Sequence, residues 1–198
     1  MISVSQYWNP KQALLKQALK EGQIEEAKTL LHTLHSAVHS SEIYETQDSS
    51  YMDEIWEDLN EKAFRTMPSI KDVTIAWNIW HITRIEDITA NLLIADTEQI
   101  LNDEWLEKLN TLVKDTGNAM SDEEIISFSN EINLKELQNY RNSVGVRTKE
   151  IIENLNQEDL KRKFRQAQIS RILTDGGVTE HPKSIWLLDF WRKKTVAV

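Results

Sequence analysis

His35 and His39 stand four residues apart in the stretch LLHTLHSAVHSSE, with His32 just before them. On a helix, that spacing puts two imidazoles one turn apart, the arrangement by which one helix offers two nitrogen ligands to a single divalent ion. The same spacing also occurs on solvated helix faces, and the adjoining polar run 40–50 favours that reading of the pair. His81 is the second candidate. It sits among tryptophans and isoleucines in SIKDVTIAWNIWHITRIEDITANLLIA, residues 69–95. A titratable ring there is either a neutral core residue bonded to a backbone carbonyl or the first piece of a metal site. Thr74, Trp77, Asn78, Arg84, Ile85 and Ile88 share its helix face. Glu86 and Asp87 lie about 140° and 120° around the wheel, so they cannot chelate with His81 from their own helix. Arg84 and Asp87, at i and i+3, read as an ordinary surface ion pair. His181, before Pro182, falls in an exposed turn.

Much other chemistry is excluded. The chain has no cysteine, which removes disulfides, thiolate zinc sites and cysteine nucleophiles and fits a reducing compartment. It has no Gly-rich phosphate loop, no HExxH and no nucleophile elbow. A net charge of −9 argues against nucleic acid as partner, because such binding is mostly phosphate neutralisation. The charge is uneven: residues 161–198 carry 9 Lys/Arg against 3 Asp/Glu. The simplest use of that basic tail is docking on the acidic body. No uncharged apolar run approaches the roughly 20 residues that span a bilayer. The start MISVSQYWNPKQ lacks the features of a signal peptide. The expected setting is cytoplasmic, with no membrane attachment.

The elements that must position these residues are helices. Five Gly and three Pro in 198 residues leave few breakers, and the apolar spacing follows 3.6 residues nearly everywhere. The expected fold is all-α: one helical domain over 1–198, with an N-terminal helical arm at 1–48 and a four-helix bundle with extra short helices over 50–198. Helices are expected over 10–38, 51–66, 69–96 (capped by Ser69), 102–115, 121–130 (Ser121 and Glu124 forming a capping box) and 133–155. A short helix and loop fill 157–175. A last helix starts at Ser184 and runs to the end. Its apolar close, Thr195-Val196-Ala197-Val198, has no Gly or Asn cap and leads to the expectation that the natural chain or core continues further. Seven tryptophans serve mostly core packing; Trp186 and Trp191 beside Arg192-Lys193-Lys194 also fit an interface.

SIKDVTIAWNIWHITRIEDI resembles the DinB/YfiT-like superfamily of damage-inducible four-helix proteins. The resemblance rests on a small residue opening the helix, a Trp four residues before the His, and W-H-I followed by R-I-E-D. FRTMPS, TKEIIENLNQEDLKRKF and SIWLLDFW extend it over about 50–198. It implies a bundle that holds a divalent ion, zinc or nickel, with three histidines: one from the second bundle helix and an i, i+4 pair from the last. It also implies a thiol S-transferase or hydrolase acting on a small molecule such as a low-molecular-weight thiol, with Trp77 and Trp80 walling the pocket. His81 matches the first ligand. Residues 184–198 contain no histidine, so the pair lies beyond Val198, or the site is degenerate, or His35 and His39 supply it. The unfinished helix end favours the first, and the site within this chain is expected to be incomplete. The candidate metal residues are His81, His39 and His35. The alternative is a non-catalytic helical stress or interaction protein with a degenerate site. A homodimer is the expected assembly.

Overall fold

The expected helix over 10–38 is a hairpin of two helices in the computed structural model, which describes residues 4–197. Helices α1 (Val4–Glu21) and α2 (Ile24–Val38) are split at Gly22. Gly22 takes the left-handed conformation at φ +74°, which costs glycine little. The helix expected over 51–66 is also two, α4 (Tyr51–Asp58) and α5 (Glu61–Arg65), following the single-turn α3 (Ser41–Tyr44). Here Asn60 breaks the run by accepting a hydrogen bond from Ala63 N, so it starts a new helix.

The central helix α6 (Ile75–Asp87) starts later than expected. Thr74, not Ser69, is its cap and accepts from Trp77 N, while Ser69 Oγ donates to Asp72. The chain then winds as a π-helix over Ile88–Ala95. The wider turn is held from outside: Gln168 Nε2 donates to the carbonyls of Leu92 and Leu93 at 3.0 Å. Helix α7 (Asp103–Leu109) stops at Asn110, whose φ is +54°, rather than running to 115. The capping box of Ser121 and Glu124 opens α8 (Asp122–Glu131) as expected, and Asn133 caps the long α9 (Leu134–Asn154). After a 3-10 turn at Asp159–Lys161 come α10 (Gln166–Thr174) and α11 (Pro182–Arg192). His181 caps α11, with Pro182 in its first turn.

The last helix ends at Arg192, not at the chain end. Val196 N and Ala197 N instead donate to the carbonyls of Arg162 and Leu160, and Val198 lies outside the described residues. Arg165 and Arg171 pair with Asp96 and Glu98. The basic C-terminal region is therefore docked on the body.

The fold is all-α, with helix α6 and the π-helix that continues it passing through two apolar clusters. Ile79 and Trp80 join Phe64, Leu109, Phe128, Leu137 and Tyr140 in the first. Ile88, Leu92 and Leu93 join Ile169, Ile172, Leu187 and Trp191 in the second. Between them sits the pair Arg84–Asp87, at 2.8 Å with both side chains fully buried. The surface reading of that pair is corrected. Asp87 also accepts from Tyr140 Oη, Asn91 Nδ2, Ile100 N and Leu101 N, so its charge is fully solvated by the protein. No helix among the described residues is long and apolar enough to cross a membrane.

Candidate metal centre

Three helices converge on one carboxylate. Helix α2 brings His35 and, at its C-cap, His39. Helix α6 brings Glu86 and α9 brings Arg141 and Gly145. His35 Nε2 lies 3.1 Å from Glu86 Oε1, and His39 Nε2 lies 2.9 Å from Oε2. The two rings stack with centroids 4.0 Å apart and planes 23° apart. Each imidazole thus donates its Nε2–H to one oxygen of the same carboxylate. Arg141 closes the group, its Nη1 3.5 Å from Glu86 Oε2 and its Nη2 3.3 Å from His39 Nε2.

The outer contacts differ between the two rings. The single turn α3 folds Tyr44 back onto α2, so that its hydroxyl lies 2.8 Å from His35 Nδ1 and 3.2 Å from His32 Nδ1. A hydroxyl can donate to one ring and accept from the other, in either order. His39 Nδ1 is buried with no partner. It rests on Gly145, where an added Cβ would stand 2.4 Å from it. Glycine at 145 makes the room that the ring occupies.

Burial sets the protonation states. It holds His39 down at about 4, against hydrogen bonding and attraction from Glu86. Burial pushes the Glu86 carboxyl up, but hydrogen bonds from His35 and His39, with the charges of His39 and Arg141, outweigh it and hold the group well below the ordinary carboxylate range. Burial also raises the Tyr44 hydroxyl, with help from Glu86 and Glu153. At neutral pH the carboxylate is ionised and the His39 ring neutral.

The donor atoms of His35, His39 and Glu86 all lie within 4.8 Å of one another and could hold a metal ion. Two imidazole nitrogens and one carboxylate oxygen are a donor set that zinc accepts. The nitrogen–oxygen separations of 3.1 and 2.9 Å are close to the roughly 3.3 Å between ligands of a tetrahedral ion with 2.0–2.1 Å bonds. Tyr44 can take the Nδ1 proton that His35 must carry when its Nε2 is a ligand. The residues fit a cation in type and spacing; Arg141, 3.5 Å from Glu86 Oε2, is the positive charge beside which a cation would stand.

Among the sequence-predicted residues, the structure brings together His35 and His39 and leaves His81 out of the group. His81 stacks on Trp77 with ring centroids 4.8 Å apart, and its Nδ1 lies 2.7 Å from the Thr116 carbonyl oxygen. Trp80 is a fully buried core residue that donates to Asp115 O. Sequence reasoning missed Glu86, Arg141 and Tyr44 as partners of the pair. One signal was present: Ile79, Thr83, Glu86 and Ala90 form one inward stripe at helical spacing, so Glu86 is a charge on a core face.

Residues 45–177 match the sequence model of the DinB superfamily. His35 and His39 fall before the matched residues, and the helix SIWLLDFW falls after them. No curated protein and no solved structure matches the chain.

Proposed function

Since the chain belongs to the DinB superfamily, we propose that it is a divalent-metal-dependent enzyme of that type, a thiol S-transferase or hydrolase acting on a small molecule. The observation that carries this reading is the convergence of His35, His39 and Glu86 from two separate helices. Zinc or nickel, bound there with a position left open, would act as a Lewis acid and lower the pKa of a coordinated water or thiol. His35 and His39 would each offer Nε2, and Glu86 the charge. Tyr44 would fix the His35 tautomer by accepting its Nδ1–H and donating onward to His32. Set half-exposed beside the 114–117 loop, His81 is assigned no ligand role in this reading. The lack of cysteine accords with a cytoplasmic setting. Trp186 and Phe190, both exposed and in edge contact on α11, support a homodimer that size-exclusion chromatography would detect.

Elemental analysis of untagged protein tests the proposal. Near-stoichiometric zinc or nickel is expected, with loss of metal in Glu86→Gln and His35→Ala. A metal-free protein that takes up no added zinc, nickel or manganese would sink it. Arg141 favours the second reading, a non-catalytic protein in which the cluster is a fold-stabilising network. Its guanidinium already balances Glu86, so the group is neutral without a metal. In that case Glu86→Gln changes stability alone.

A further inference from the structure

Arg141 is the group that the metal reading leaves unused, and its surroundings are unusual. Its side chain is 3% exposed. Nη1 donates to Thr83 Oγ1 at 3.3 Å and Nη2 to the Val38 carbonyl at 3.0 Å. Its charge faces Glu86 Oε2 at 3.5 Å, and its Nε–H is buried without a partner. In the chain alone, Glu86 and Arg141 cancel. A divalent cation on Glu86 would change that balance: the cation, the carboxylate and the guanidinium then sum to two positive charges in a buried site. Glu86 would also turn from Arg141 toward the cation, leaving a further guanidinium donor idle. Uncompensated buried charge and unpaired buried donors are both strongly unfavourable.

We infer that the loaded site takes a carboxylate-bearing small molecule as its anionic partner, held by Arg141 beside the cation. The inference rests on the metal reading above and adds the substrate class to it. The planar guanidinium fork matches a carboxylate through paired N–H donors, whereas a thiolate offers a single acceptor. Arg141 is fixed for that role by Thr83 and Val38, partners that belong to neither the cation nor the ligand. Cation and carboxylate each relieve the charge imbalance the other creates, so their binding is linked and reciprocal.

The test is zinc affinity of the full chain at buffered free zinc, alone, with acetate, and with 2-mercaptoethanol as a thiol without a carboxylate. Acetate is expected to tighten zinc binding about tenfold in the wild-type protein, within the range usual for linked sites. 2-Mercaptoethanol is expected to give no enhancement that depends on Arg141. Arg141→Gln removes one positive charge, so it should bind zinc more tightly than wild type without anion and lose the acetate effect. Arg141→Lys keeps the charge without the fork; it should stay folded by circular dichroism and show a reduced acetate effect. Zinc binding indifferent to acetate, or an acetate effect retained in Arg141→Gln, overturns this inference and leaves the metal site standing. An Arg141-dependent enhancement by 2-mercaptoethanol overturns the carboxylate class. Absence of zinc binding under every condition overturns both readings.

Discussion

Gly145→Ala probes the site from behind without touching a donor atom. The new Cβ would stand 2.4 Å from His39 Nδ1, 2.8 Å from His39 Cε1 and 2.8 Å from Ile43 Cδ1. Non-bonded atoms settle at about 3.5 Å, so the ring must retreat by roughly 1 Å. The Ile43 tip can swing away, but the imidazole is wedged between His35 and α9. A ring shift of that size disrupts the 2.9 Å bond from His39 Nε2 to Glu86. Overpacking costs about 1–3 kcal/mol, and losing a hydrogen bond to a charged group about 1.5–3 kcal/mol. Alanine returns about 1 kcal/mol in the middle of α9 by helix propensity. The expected net effect is a loss of about 3 kcal/mol in urea denaturation at pH 7 with EDTA, at unchanged m-value. In a His39→Ala background the wall is gone, and the same substitution should become neutral or stabilising by up to about 1 kcal/mol. The sign reversal is the decisive readout. An equal loss in both backgrounds, or no loss in either, would refute the packing of His39 against Gly145 and the geometry built on it.

Further expectations concern the rest of the network. Tyr44→Phe removes the hydroxyl between His32 and His35 and should weaken zinc binding about 10–100-fold, as losses of ligand-orienting partners do; unchanged affinity in a zinc titration would deny Tyr44 that role. In metal-free protein, the folded His39 titrates near 4 against an ordinary 6.5 because it is buried. The unfolded chain therefore gains a proton that the folded one refuses. Stability should be full above pH 6.5 and fall by about 3 kcal/mol on descending to pH 4. Below the ordinary Glu value of 4.5, the depressed Glu86 adds to the loss. Denaturation midpoints across this window should flatten in His39→Gln, and an unaltered slope there would assign the effect elsewhere. Asp87→Ala strands the fully buried Arg84 and should cost about 3–5 kcal/mol, read as a lower melting temperature; a loss under about 1 kcal/mol would mean that Arg84 finds another partner.

The helical class and the sequence family were legible because both rest on local information. Apolar spacing near 3.6, few breakers and the capping box of Ser121 and Glu124 act within a few residues of themselves. The same locality hid other features. Gly22 and Asn60 broke runs that apolar periodicity carries straight through. The π-turn after Asp87 is held by Gln168, more than seventy residues away. Arg84–Asp87 looked like a surface pair because its burial is set by Tyr140 of α9 and by segments 99–101 and 114, not by its own spacing.

The candidate site divides in the same way. The sequence by itself determined that His35 and His39 share one face of α2, since four residues make about one helical turn. It also put Glu86 on the inward stripe of α6. Only the tertiary structure decided that these two faces meet, that Arg141 balances the carboxylate between them, and that His81 bonds the Thr116 carbonyl instead of joining the group. The physical reason is range. Helix periodicity fixes angles about one axis, whereas a charge cluster depends on which axes pack together, and how α2, α6 and α9 pack is recorded in no single segment.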